Sequence, residues 1–207
     1  MKRLITFTFI FALVCCTSCK EKKPDDGKGT DTTSVTPTVK KYVIGSYYNE
    51  NGVQGIVYKV DAEGLHGMLV SLDESNLAWA IDAVTATIQT DASDADDGKK
   101  NVEKIKAKGI ENYPAFKWCD DKKGEWYLPA SNELSDLCML YQSLQDSLAA
   151  YQGVKLDGTS NYWSSQEKFN AGGMDSKKYA EAYAVSAANF TGIEKIRALK
   201  VRAICSF

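Results

Sequence analysis

A single histidine, His66, stands in 207 residues. Any imidazole relay would hang on that one side chain, and no motif pairs a nucleophile with a base. His66 lies beside an expected strand turn and is read as structural. Closely spaced cysteines of the C-x-x-C kind are also missing, since Cys119, Cys138 and Cys205 are scattered. With one histidine they do not make a zinc site, and no metal or cofactor is expected. Their odd number allows at most one internal disulfide. Positive charge is not in excess: the net charge is −2, and it becomes more negative once Lys2 and Arg3 are removed. Nucleic acid is therefore not an expected partner. No apolar run reaches the roughly 20 residues that a membrane-spanning helix needs, and no internal repeat is visible.

What is present begins at the N-terminus. Lys2 and Arg3 precede the mostly apolar run Leu4–Ser18, which ends in the small residues Thr17 and Ser18 before Cys19. That order is the layout of a cleavable secretion signal, residues 1–18. Cys19 after Thr17-Ser18 resembles the lipobox of bacterial lipoproteins, which implies acylation of its thiol. The plainer alternative is an ordinary cleaved signal that leaves Cys19 unmodified. Glu21, Asp25 and Asp26 resemble the export tag of surface lipoproteins in Bacteroides-type bacteria. That resemblance implies a lipid-anchored protein of the outer membrane, displayed on the cell surface.

Residues 19–40 are mainly Lys, Asp, Gly, Thr, Ser and Pro and read as a flexible stalk. Within it Asp31-Thr32-Thr33 resembles a short O-glycosylation acceptor centred on Thr32; a plain polar linker is the other reading. Residues 41–207 supply one domain with a substantial core, at 44% hydrophobic and 11% aromatic content for the whole chain.

The domain opens as a β-meander. Lys41–Tyr48, Val53–Asp61 and Leu65–Leu72 alternate as strands do, and Asn49–Gly52 has turn composition. Gly45, Gly55 and Gly67 inside these strands predict bulges or a close backbone neighbour. Thr90–Gly98 is acidic enough to suggest a calcium loop, yet Ser93 and Ala95 occupy positions where an EF-hand needs ligands. Its other reading is an acidic lead into a helix over Lys99–Lys108. Leu134, Leu137, Cys138, Tyr141, Leu144, Leu148 and Tyr151 form one apolar stripe and predict a helix over Ser131–Tyr151. Pro129 stops what precedes, and Ser131 is the expected cap. Strand-like pieces follow at Asn161–Gln166, Tyr179–Ala188 and Ala198–Phe207, separated by polar loops Glu167–Lys178 and Asn189–Arg197.

Three ordered motifs carry a resemblance over about residues 41–207. They are Trp126-Tyr127-Leu128-Pro129 with Glu133-Leu134, then Tyr162-Trp163-Ser164-Ser165, then Val201-Arg202-Ala203-Ile204. Together they resemble the C-terminal domain of Lcl-type collagen-like bacterial adhesins, which recurs in lipoproteins of Bacteroides-type bacteria. The resemblance implies an α+β, C-type-lectin-like fold of twisted antiparallel sheets with two helices. Trp163 is then a core anchor, with a ligand platform as the other reading. Ala130 stands where the family commonly has Ser or Thr, which breaks a capping box with Glu133. By analogy with animal lectins, Cys119 and Cys205 are the candidate disulfide. The calcium-dependent sugar motifs of animal lectins are absent.

The fold, stalk and tether together suggest a non-enzymatic binding or adhesion module for a glycan or protein ligand. Asn161, Gln166, Asn170 and Asn189 are candidate polar contacts, and Phe169 and Phe190 candidate apolar ones. A structural subunit of a fimbrial or envelope assembly is the alternative, and an enzyme of unknown reaction a third.

Overall fold

Asn51-Gly52 sets the first hairpin. Both residues have positive φ, 53° and 78°, as a type I′ turn requires and as Asn and Gly tolerate. The turn joins β1 (Tyr47–Glu50) to β2 (Val53–Val60) with Glu50 opposite Val53. β1 begins later than expected because a turn, closed by Ser46 N–H donating to the Val43 carbonyl, occupies the residues before it. β3 (Gly67–Ser71) runs antiparallel to β2, with a register shift between Val57 and Lys59. A Cβ at Gly67 would collide with the Lys59 carbonyl, so the close backbone neighbour foreseen for these glycines is found there.

The computed structural model describes residues 39–168 and 176–207. The expected signal, Cys19 and Thr32 lie outside the described residues. After β3 the chain forms β4 (Ser75–Ala78) and then five helices among the described residues. These are α1 (Ala83–Ala86), α2 (Gly98–Lys106), α3 (Pro114–Asp120), α4 (Ser131–Met139) and α5 (Tyr141–Ala150). The remaining strands are β5 (Asn161–Glu167), β6 (Tyr179–Ala184), β7 (Asn189–Glu194), β8 (Ala198–Val201) and β9 (Ile204–Ser206).

One sheet has the order β1-β2-β3-β9 and the other β4-β8-β5-β6-β7. The class is α+β. The expectation of antiparallel sheets with two helices needs two corrections. β5 and β8 pair in parallel at Tyr162 and Lys200, which makes the second sheet mixed. The helices exceed two partly because the single helix foreseen over Ser131–Tyr151 breaks at Leu140. Its apolar stripe serves two partners: α4 packs on β5 and β6, whereas α5 packs on β2 of the other sheet. A straight helix would present one face to one layer; the break re-aims the second half. The other additions are short. α3 starts with Pro114 at its first turn, where a missing N–H costs nothing.

α2 matches expectation closely. Asp97 caps it, accepting from the N–H groups of Lys99 and Lys100 at 3.0 and 3.3 Å. The acidic stretch before it is tied up locally, with the Asp94 carboxylate accepting from the N–H groups of Asp96 and Asp97. Ser131, the expected cap of α4, sits inside the helix instead. Its hydroxyl donates to Glu181 at 2.8 Å and lies 3.2 Å from the Ser164 hydroxyl. The start of α4 is closed by Glu133, whose carboxylate accepts from the N–H groups of Ala130 and Gly98 and from the Tyr127 hydroxyl. Half of a capping box thus survives with alanine at its first position.

Ala198–Phe207, foreseen as one strand, is two strands in two sheets. The chain crosses between sheets at Arg202-Ala203, as β3 and β4 do across Leu72–Glu74. Arg202 is buried at this crossing. One arm of its guanidinium donates to the carbonyls of Ser71 and Asp73 at 3.0 and 3.2 Å. The other donates to Glu74 at 2.8 Å and to the Val154 carbonyl at 2.9 Å. Glu74 also accepts from Lys200 and the Tyr162 hydroxyl. Both sheets and the helices share one core that includes Trp79, Phe116, Leu128, Leu137, Trp163 and Ile204. Trp163 is fully buried and donates its indole N–H to the Leu77 carbonyl at 3.0 Å.

Candidate functional site

The second sheet separates the foreseen contact residues into two ends. Asn161 and Asn189 both pair with Ala184, so they flank one residue at the same end of β5-β6-β7. Gln166 lies toward the opposite end, next to Glu167, which pairs with Ala180. Phe169 and Asn170 lie outside the described residues. Asn189–Arg197 is largely strand β7, not a loop, because its alternation matches β6 residue for residue. Phe190 is correspondingly no exposed contact: its ring meets Tyr183 edge-on at 4.9 Å and packs on the core.

At the first end, Asn161 lines a groove of about 380 Å³ with Asn76, Thr159, Ser160 and Lys200. Asp157 fixes the groove's rim. It accepts from the hydroxyls of Ser160 and Thr159 and from the Thr159 N–H, which hold its carboxyl down at about 2. Gln166 donates its N–H to the Ser164 hydroxyl, and its side-chain oxygen is buried with no partner among the described residues.

The three cysteines are separate, buried free thiols, so the Cys119–Cys205 pairing is not formed. Cys119 sits in α3 and Cys205 in β9, each closed into apolar surroundings. Burial pushes the Cys138 and Cys205 thiols up to about 12 and Cys119 upward as well. Such thiols are poor nucleophiles. His66 follows a turn in which its N–H and that of Leu65 donate to Asp61.

The second end carries a surface that the sequence reading missed. Ile81, Val84, Ile88 and Ile196 are exposed by 57, 76, 40 and 45%. They surround α1 and the turn after β7, beside a 190 Å³ pocket lined by Ala83, Ala86, Lys178, Glu194 and Ile196. Scattered apolar residues on a surface need no explanation, but here Ile81, Val84 and Ile88 lie on or flank α1 and Ile196 lines the pocket beside it. α1 is held firmly enough to present them. Asp82 caps it, accepting from the Thr85 N–H at 2.7 Å, and this bond lowers the Asp82 pKa. Beneath it Lys195 and Glu167 form a buried ion pair, with the ammonium 4.6 Å from the centre of the Trp79 ring. Glu167 also accepts from the N–H groups of Thr90 and Asp91. The apolar spacing Ile81, Val84, Ile88, interleaved with Asp82, Thr85 and Thr87, was the available signal. Four helical residues are too few for periodicity to register.

The chain matches no protein-family model and no curated protein. Among solved structures it is similar to a fimbrial protein from Bacteroides ovatus, at 18% identity and a TM-score of 0.59. The likeness covers 80% of this chain and 49% of that one, so this chain spans about half the length of the fimbrial protein. The two share a fold.

Proposed function

We propose that this chain is a non-enzymatic subunit of a fimbrial or other envelope assembly that docks on a partner protein. The observation that carries this reading is the aliphatic surface around α1, presented on a rigid, ion-paired base. Exposed aliphatic residues on and beside a short helix, with a pocket at its side, suit a protein contact better than a solvated connection. The fold shared with a fimbrial protein supports it. The tether inferred from Cys19 would hold the domain at the outer membrane, on the cell surface, with a bilayer as its second partner. The ordered motifs around Trp126, Trp163 and Arg202 support a C-type-lectin-like variety of this α+β fold.

A photo-reactive side chain at position 84 in the producing bacterium tests the docking reading. The expected result is a discrete cross-linked adduct, lost when Ile196→Asp is added. A mature protein that stays monomeric in the envelope, with no adduct, removes the reading.

Adhesion to a glycan is the second reading, and one observation favours it. The groove at Asn161 offers amides, hydroxyls and an ammonium on a rigid rim. Glycan-array binding that Asn161→Ala and Asn76→Ala abolish would establish it.

A further inference from the structure

We propose that the cleft beside Trp126 binds a single neutral sugar residue, a hydroxyl-bearing ring that accepts from the Trp126 indole N–H and donates to Glu103. The inference rests on neither reading of function given above, since it uses neither the α1 surface nor the groove at Asn161.

The cleft lies between α2 and the segment Gly124–Tyr127 and holds about 310 Å³. That is the lower end of the range that small-ligand sites occupy. Lys99, Val102, Glu103 and Lys106 line it from one face of α2, at the spacing that a helix brings together. An ion pair stands at each end of this face, Lys99 with Glu125 at 2.9 Å and Lys106 with Asp120 at 2.7 Å. The two lysines are about 10 Å apart along the helix axis at a rise of roughly 1.5 Å per residue. The space between the pairs suits one ring rather than a chain running along α2.

Two polar groups in the cleft have no partner among the described residues. Trp79 and Trp163 donate their indole N–H to main-chain carbonyls. Trp126 is only 6% exposed, yet its indole N–H donates to none. Buried indoles normally find an acceptor. Gly124 lines the cleft, and a Cβ there would sit 3.5 Å from the Trp126 Nε1, so this edge of the indole opens on the cleft. Glu103 is the second such group. Its carboxylate, midway along the α2 face, makes no ion pair, unlike those of Asp120 and Glu125.

These two groups define the ligand. A donor and a carboxylate without partners are matched by an acceptor and a donor on one small molecule, as hydroxyls on a ring supply. A plain ammonium would satisfy Glu103 and leave the indole unmet. Three carboxylates against two ammonium groups make the cleft negative, which disfavours an anion. Val102 and the Tyr127 ring, both buried, form a floor on which the C–H face of a sugar packs.

The test titrates the full mature chain with the methyl glycosides of glucose, galactose, mannose and N-acetylglucosamine at millimolar concentrations. Indole N–H resonances are followed by NMR, with that of Trp126 identified by its through-space contact with Gly124. At least one glycoside should move the Trp126 resonance and leave those of Trp79 and Trp163 in place. Glu103→Ala, at an exposed position, should weaken this binding about tenfold or more, as loss of a hydrogen bond to a charged group does. Asn161→Ala should leave it unchanged. No movement of the Trp126 resonance with any of the glycosides overturns the proposal and leaves the docking reading standing. Movement that survives Glu103→Ala overturns it as well. Binding lost in Asn161→Ala would assign the sugar to the other groove and overturn this site. Movement with free glycine and with no glycoside would assign the cleft to an amino acid and overturn the sugar.

Discussion

Arg202 and Lys195 are both buried cations paired with a carboxylate, yet they are satisfied in different ways. Arg202 spends its planar fork on main-chain carbonyls from two crossing segments, and Glu74 is one acceptor among several. Lys195 has a compact ammonium that sits between Glu167 and the face of Trp79. The guanidinium therefore fastens backbone to backbone, whereas the ammonium joins the Glu167 carboxylate and the Trp79 ring and reaches the Ala86 carbonyl of α1 at 3.5 Å. Removing Arg202 would leave several carbonyls without donors. Removing Lys195 would leave chiefly one charge without its counterpart.

That contrast can be broken by substitution. Arg202→Met is expected to lower the unfolding free energy by about 3–5 kcal/mol, read from urea denaturation. Arg202→Lys should recover little of it, because one ammonium cannot span both sets of carbonyls. Lys195→Met alone should cost a comparable amount by leaving Glu167 buried and charged. Combining it with Glu167→Gln should restore most of the loss, since the amide still accepts from Thr90 and Asp91. Arg202→Met with Glu74→Gln should show no such recovery. Equal recovery at both sites would erase the distinction.

A smaller effect is expected at Glu133, where burial raises the carboxyl above its ordinary value. Between that value and the raised one the folded chain binds the proton more tightly than the unfolded chain. Stability attributable to this group therefore falls as pH rises through the window. Glu133→Gln should flatten that slope in urea midpoints measured from pH 4 to 8, with a change of about 1 kcal/mol at neutral pH. The smallest effect on stability belongs to Ile196→Asp, read with the photo-reactive side chain at position 84. It should leave stability within about 0.5 kcal/mol while abolishing partner cross-linking.

The legible parts of this fold were those with local causes. Asn51-Gly52 announces its turn through backbone conformation, Asp97 marks a helix start, and Trp163 sits in an alternating strand that hides it. The apolar stripe over Ser131–Tyr151 was visible, but its break at Leu140 was not, because the cause lies in two sheets contacted by its two halves. Arg202 stood inside a recognised motif without disclosing that its strand divides there. Its acceptors lie about 50 and 130 residues away in sequence. The candidate contacts fared similarly: Asn161 and Asn189 were found as polar residues, but pairing with Ala184 put them at the far end from Gln166.

The division of residues 198–206 between two sheets bears on when the fold can close during synthesis. Among the described residues β8 alone links β4 to β5 in its sheet, and β9 completes the outer side of β3. Both are synthesised after every strand they join. Until they emerge, neither layer can close. The last few residues are thus the ones that zip both layers shut together.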